Sequence, residues 1–255
     1  MLPVVALIIL KGGALLFAGL LALLSAIGTI EFYRMALPTR KLELWLAVVA
    51  GSLLIFIPFA GDDKLILSTI WLFFTCFALL FLFRIRSIEA AAQEVAFALL
   101  AFFYIPFLLM HLVQLRLTPF GIEWLFVIML IVMTNDSAAY YSGSAFGKHR
   151  LYPLVSPKKS IEGAVGGLVG SLGGTLLAKF TFFSQLTFTD VVLTALVIGT
   201  VGQTGDLFES LLKRSFGVKD SGTIIPGHGG VLDRMDSILF AAPITYYYVL
   251  FFFKG

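Results

Sequence analysis

Charge is scarce in this chain: 13% of its 255 residues are Asp, Glu, Lys or Arg, while 59% are hydrophobic. That balance excludes an ordinary soluble surface, for which about a quarter of residues are charged. Histidine occurs three times and cysteine once, at Cys76 within an apolar run. A single cysteine excludes an intrachain disulfide and a cysteine-built metal site. It reads instead as a small lipid- or core-facing residue. The opening residues carry no basic stretch ahead of their apolar run, so they are not read as a cleavable signal.

What the chain has is apolar length. The 26 Phe and a mean hydropathy of +0.99 accompany apolar runs that continue to the last residues. At about 18 to 22 residues each, the runs match the hydrocarbon thickness of a bilayer. The fold class expected is all-α: a polytopic helical integral membrane protein with about nine transmembrane segments, the first one short. Met1 to Leu10 covers about half a bilayer before Lys11-Gly12-Gly13 breaks the run. Full spans are expected near Ala14–Met35, Leu44–Phe59, Leu65–Phe83, Ala91–Val113, Ile122–Ser142, Ile161–Phe182, Phe188–Thr204 and Ile238–Phe253. With the N-terminus in the cytoplasm, only Lys11, Lys64, Arg116, Lys179 and Lys254 of the 18 Lys and Arg fall on the far side. The positive-inside bias selects that orientation. Two regions are expected: 1–130 as N-terminal transmembrane scaffold helices, and 131–255 as C-terminal transmembrane helices with cytoplasmic motif loops.

Several features read as structural. Pro58, Pro106 and Pro243 lie in or beside spans, where they kink a helix. Gly166, Gly170 and Gly174 recur on one helical face, which suits close packing inside a subunit better than a dimer seam. Arg84, Arg86, Glu89 and Glu94 read as a solvated loop, and His111 as a hydrogen-bonded residue rather than a ligand.

Three segments are polar where a bilayer protein avoids it. The first is Thr134-Asn135-Asp136-Ser137, followed by Ser156-Pro157-Lys158-Lys159-Ser160 and Glu162. Ser160 is a helix N-cap by pattern and Glu162 falls in the first turn. Helix N-terminal N–H groups beside two ammonium groups suit a triphosphate or a lipid phosphate. The plainer reading is that both lysines are anchors touching headgroups. The second segment, Gly202-Gln203-Thr204-Gly205-Asp206, continues helically, so Asp206, Ser210 and Lys213 share a face. An interfacial helix with i,i+4 pairs is its plain alternative. The third, Pro226 to Asp236, closes a polar passage that begins at Ser210 and gathers Lys213, Arg214, Lys219, Asp220, His228, Asp233, Arg234 and Asp236 around clustered Gly and Pro. Cations hold phosphates, carboxylates hold a divalent cation, and a Gly-rich turn admits an anion. Those parts suit metal-dependent phosphoryl or nucleotidyl transfer. Asp233 and Asp236, three apart, are expected on one helical face, and Asp220 beside Lys219 as a local ion pair.

This third passage resembles the signature of phosphatidate cytidylyltransferases, also called CDP-diacylglycerol synthases. The fixed positions are Ser210, Leu212, Lys213, Arg214, Lys219, Asp220, Gly222, Ile225, Pro226, His228, Gly229, Gly230, Val231, Asp233, Arg234, Met235 and Asp236. The resemblance extends more loosely over Asn135 to Gly163. It implies condensation of CTP with phosphatidic acid, giving CDP-diacylglycerol and pyrophosphate in phospholipid biosynthesis. It also implies Mg²⁺, with room for a second cation such as K⁺, membrane lipids as surroundings, a homodimer and no nucleic-acid partner. Location in a bacterial-type inner membrane, with the site facing the cytoplasm, goes with it. Carried onto this chain, the implied metal pair is Asp206 and Asp233, with Ser210 and Lys213 also catalytic. Substrate contacts fall to Asp136, Lys158, Lys159, Ser160, Arg214, Lys219, His228, Gly229, Gly230 and Arg234. The residues alone leave open a CTP-dependent lipid kinase, a cytidylyltransferase for another lipid phosphate, and a transporter of an anionic substrate. The last is disfavoured because the passage has no second copy.

Overall fold

A computed structural model describes residues 2–223 and 229–255, apart from the side chains of Leu2 and Asp63. His228 therefore lies outside the described residues, as do 224–227 of the signature passage. Among the described residues the chain is helical except for one small hairpin. The order is α1 (Leu2–Lys11), α2 (Gly13–Ala36), α3 (Lys41–Phe56), α4 (Asp63–Phe83), α5 (Ile88–Phe102), α6 (Leu108–Arg116), α7 (Gly121–Phe146), β1 (Arg150–Tyr152), β2 (Ser156–Ser160), α8 (Ile161–Thr181), α9 (Phe188–Ser215) and α10 (Asp236–Phe251).

Among the described residues, seven helical stretches are long and apolar enough to cross a membrane. They follow the apolar runs of the sequence, with α5 and α6 joined into one stretch, Ile88–Arg116. The joint is a π-helical turn, Phe103–Phe107, around Pro106. A proline has no N–H to give, and a π-bulge absorbs the lost ladder bond. The shorter α10 and α1 measure about 24 Å and 15 Å at the helical rise per residue. Large apolar side chains such as Trp45, Trp71, Phe74, Phe180 and Phe251 point outward, as a lipid-facing surface requires. The chain is an integral membrane protein built of helices.

The residues fall into two compact units, Met1–Gln114 with Asp220–Arg234, and Leu115–Lys219 with Met235–Gly255. The signature passage is thus divided between them.

The first unit packs α2 against α3 and α5. A buried ion cluster closes one part of it. Arg40, 1% exposed, donates to Glu43 Oε1 at 3.2 Å and to the Arg84 carbonyl at 2.8 Å, and also pairs with Glu94. Arg84 Nε lies 3.5 Å from Glu43 Oε1, and the Arg40 guanidinium sits 5.0 Å from the Phe81 ring centroid. The expectation of a solvated loop holds for the exposed Arg84, Arg86 and Glu89 side chains and is corrected for Glu94. Glu94 and Arg84 serve a buried arginine, because Arg40 needs acceptors on more than one side once it leaves water.

The second unit is organised by α7 and α8, which pack more extensively than any other pair of elements. Along the Gly166, Gly170 and Gly174 stripe, an added Cβ would run into Ser142, the Thr134 carbonyl with Ala138, and the Thr134 hydroxyl respectively. The stripe is therefore an intramolecular packing face against α7, as its spacing predicts. Helices α9 and α10 complete the unit, with Phe208 and Phe240 in contact at 5.5 Å between ring centroids. At another part of the unit Trp124, Phe183 and Phe253 form an edge-on aromatic cluster.

Candidate active site

In the second unit, a cavity of about 440 Å³ opens between α7, the hairpin, α8 and α9. Asn135, Asp136 and Tyr140 come to it from α7, Lys158, Lys159 and Ser160 from β2, and Gln203 and Asp206 from α9. Asp136, Lys158, Lys159, Ser160 and Asp206 are all residues singled out in the sequence, and the fold brings them to one wall.

Each is placed by local chemistry. Ser160 ends β2 in an extended conformation, and its Oγ accepts the Gly163 N–H at 3.1 Å, the N-cap that its pattern predicts. β2 pairs antiparallel with β1, Arg150 opposite Ser160, and so presents Lys158 and Lys159 beside the helix start. Glu162 ties down the preceding loop by accepting the N–H of Lys148 at 3.2 Å and of His149 at 3.2 Å, with His149 Nδ1 at 2.6 Å. Lys159 Nζ reaches Asp206 Oδ2 at 2.6 Å. Asp136 lies within electrostatic reach of Asp206 and Lys159, and Asp236, at the start of α10, within reach of Asp206 and Asp136. Three carboxylates thus lie within electrostatic reach of one another, with a lysine paired to one of them.

Asn135 and Gln203 of the same lining form an amide pair. Asn135 Nδ2 donates to Ser171 Oγ at 2.8 Å, and Gln203 Nε2 donates to Asn135 Oδ1 at 3.0 Å and to the Ala164 carbonyl at 2.9 Å. These bonds cross-link α7, α8 and α9. A Cβ on Gly167 would stand 2.7 Å from both amides, so the crossing needs a glycine there.

Ser210, Lys213 and Arg214 follow Asp206 on α9, as the spacing predicts, but do not line the cavity. Lys213 Nζ lies 3.5 Å from Glu209 Oε1, and Arg214 donates to the Val218 carbonyl at 3.2 Å. Lys219 ends this part of the second unit.

In the first unit, the described signature residues from Gly229 to Arg234 form a turn. Gly229 takes φ +81°, a conformation open to glycine at little cost. Asp233 Oδ2 accepts from the Ser221 N–H at 2.9 Å, the Ser221 hydroxyl at 3.0 Å and the Gly230 N–H at 2.7 Å. Asp233 and Arg234 sit in a 3₁₀ turn, Leu232–Arg234, whereas Asp236 opens α10. The expectation of one shared helical face for Asp233 and Asp236 is therefore corrected, because the helix starts only after Met235.

The turn rests on a residue not singled out in the sequence. Glu31, on α2 and 1% exposed, accepts from the Val231 N–H at 2.9 Å, the Leu232 N–H at 2.9 Å and the Ser221 hydroxyl at 3.2 Å. Its signal was available: a carboxylate inside an apolar span needs a partner. The amides Asn135 and Gln203 carried the same signal more weakly.

A profile described as the cytidylyltransferase family matches residues 1–252. The chain belongs to the cytidylyltransferase family. Among similar proteins, one from Bacillus subtilis (strain 168) named phosphatidate cytidylyltransferase is 40% identical over 163 residues, covering 63% of this chain and 60% of that protein. A protein of the same name from Staphylococcus saprophyticus is 40% identical over 152 residues, 60% of this chain and 58% of that protein. In these two the match spans less than two thirds of the relative's length. A third, from Staphylococcus aureus (strain COL) and with the same name, is 35% identical over 240 residues, 93% of this chain and 90% of that protein. Membership fits the cavity, since a cytidylyltransferase must hold a triphosphate beside an acceptor.

Among the described residues no group of three or more His, Cys, Asp or Glu forms a ready-made metal cage. Mg²⁺ is ordinarily held by one or two carboxylates plus substrate phosphates. Asp206, with Asp136 and Asp236 in electrostatic reach, is a donor set of that chemistry.

Proposed function

We propose that this protein condenses CTP with phosphatidic acid to give CDP-diacylglycerol and pyrophosphate. The observation that carries the reading is the cavity where Lys158, Lys159 and the capped start of α8 meet Asp136 and Asp206. One side of it suits an anionic phosphate chain, the other a cation that bridges phosphates.

The lipid phosphate is a monoester with a second pKa of about 6, so it is an anionic nucleophile at neutral pH without a protein base. Its oxygen forms a bond to the α-phosphorus of CTP. The bond from that phosphorus to the bridging oxygen breaks, and pyrophosphate leaves with the electron pair. Because both reactants are anions, catalysis lies in positioning and in charge neutralisation. Lys158, Lys159 and the N-terminal N–H groups of α8 hold phosphate oxygens. Asp206 orients the Lys159 ammonium through their 2.6 Å pair. Mg²⁺ is part of this proposal, with Asp206 as a ligand and Asp136 and Asp236 as its neighbours. It would supply further neutralisation of the reacting phosphates. Asp233 is carried as a metal ligand in the same proposal. Lys213, Arg214, Lys219 and Arg234 are carried as phosphate contacts.

The thirteen-to-five division of basic residues supports a site open to the cytoplasm, in a bacterial inner membrane. A homodimer is also proposed, and crosslinking of the protein in native membranes reads it directly.

The test is product analysis. Purified full-length protein in detergent, given labelled CTP, phosphatidic acid and Mg²⁺, is expected to yield CDP-diacylglycerol and pyrophosphate. A phosphorylated lipid with CDP released would make it a kinase instead. Untouched CTP, with product formed from another lipid phosphate, would move the acceptor.

A further inference from the structure

We infer that Gln203 reads the base of the bound nucleotide, its side-chain oxygen accepting from the exocyclic amino group of cytosine. This rests on the cytidylyl-transfer reading above and adds to it the residue that sets base selectivity.

The argument begins with which way the amide points. Gln203 Nε2 donates to the Ala164 carbonyl at 2.9 Å and to Asn135 Oδ1 at 3.0 Å. Asn135 Nδ2 donates in turn to the Gly199 carbonyl at 3.3 Å and to Ser171 Oγ at 2.8 Å. A backbone carbonyl only accepts. Ala164 and Gly199 therefore each fix one amide, and flipping either would set two acceptors against each other. Ser171 agrees, since its own hydroxyl donates to the Gly167 carbonyl at 3.1 Å and leaves its oxygen to accept.

Both N–H groups of Gln203 are thus committed. Its Oε1 takes no hydrogen bond from the described residues, yet Gln203 lines the cavity. The wall therefore carries an oriented, neutral acceptor. Beside it stand Ala139, Gly143, Gly163 and Ala164, whose small or absent side chains admit a flat ring, while Lys158 and Lys159 supply the cationic part.

Cytosine and uracil share a shape and differ along one edge: an amino donor at position 4 beside an acceptor N3 in cytosine, a carbonyl acceptor at position 4 beside an N3–H donor in uracil. A freely rotating glutamine would satisfy both. Locked by Asn135 and Ala164, it pairs with cytosine and opposes uracil, which is discrimination by an unpaired acceptor as much as by a bond made.

The experiment measures kcat/KM and calorimetric affinity for CTP, UTP and the 2-pyrimidinone nucleotide, which carries only hydrogen at position 4. Wild type is compared with Gln203→Met, similar in size but without the amide. Wild type is expected to lose about threefold to tenfold between CTP and the 2-pyrimidinone nucleotide, the effect of one neutral hydrogen bond. Gln203→Met should lose the same factor on CTP, lose nothing further on the analogue, and discriminate less against UTP. If the substitution lowers all three nucleotides equally, Gln203 only braces the helices and the inference falls. If Gln203→Met does not fold, wild type alone decides: equal use of CTP and the analogue overturns the inference. The binding arm needs no lipid acceptor. Cytosine preference with no CDP-lipid formed would sink the reaction proposed above and leave this inference standing. Nucleotidyl-lipid formed equally well from CTP and the analogue, each carrying its own base, would do the reverse.

Discussion

The two units treat their carboxylates differently. In the first, Glu31 and Asp233 are each met by two backbone N–H groups and share the Ser221 hydroxyl, and Glu43 is met by Arg40 and Arg84. In the second, Asp136, Asp206 and Asp236 lie within reach of one another, with Lys159 paired to Asp206. A carboxylate met by fixed donors lowers the energy of the fold. Carboxylates within reach of one another raise it, a cost that a bound cation would relieve. Asp190 shows that surroundings rather than unit decide. It lies in the second unit, yet it accepts from the Thr187 N–H and hydroxyl at 2.7 Å and from Tyr248 OH at 2.5 Å.

The comparison can be broken most directly at Asp206. Asp206→Asn is expected to cut kcat on the order of 10² to 10³-fold, with a melting temperature in detergent equal to or above wild type. A clear drop in melting temperature would put Asp206 in the same class as Glu31. Glu31→Gln should do the opposite, setting an amide against the backbone N–H groups of Val231 or Leu232. A loss of about 3 kcal/mol is expected from the unsatisfied donors, read by denaturant titration in detergent. Asp233→Asn tests the middle case, since the residue anchors a turn and is also proposed for the chemistry. Its stability loss should be about 2 kcal/mol, with kcat per folded molecule falling as well. An unchanged kcat would make Asp233 an anchor alone. Smallest is Asp190→Asn, expected to lose about 1 kcal/mol while kcat per folded molecule stays at the wild-type value.

The apolar runs were legible because length and hydropathy are local quantities, and each long helix lies over one of them. The N-cap at Ser160 and the shared helix of Asp206, Ser210 and Lys213 were legible for the same reason. The hairpin was not, since its strands are three and five residues long and the second contains Pro157. Neither was the Arg40 cluster, whose partner Glu94 lies 54 positions away. A pattern reading places charged loops in water by default. Glu31 escaped because its partners are backbone N–H groups two hundred residues on, and backbone groups leave no mark in a residue pattern. Of the candidate site, the charged residues were legible by type. The orientation of the Asn135–Gln203 amides was not, because it depends on three helices meeting.

Helix α8 carries six glycines in 21 residues and the lowest hydropathy of the seven long apolar stretches, 1.4. Glycine costs a helix about 1 kcal/mol per residue relative to alanine, and its missing side chains also weaken the pull into lipid. The face that lets α7 approach so closely thus makes α8 a poor traveller on its own. During synthesis it should enter the bilayer as a passenger of α7, with the hairpin between them as the tether that keeps the two together. A reporter fused after residue 181 would register that dependence as failed insertion when α7 is replaced by an unrelated hydrophobic span.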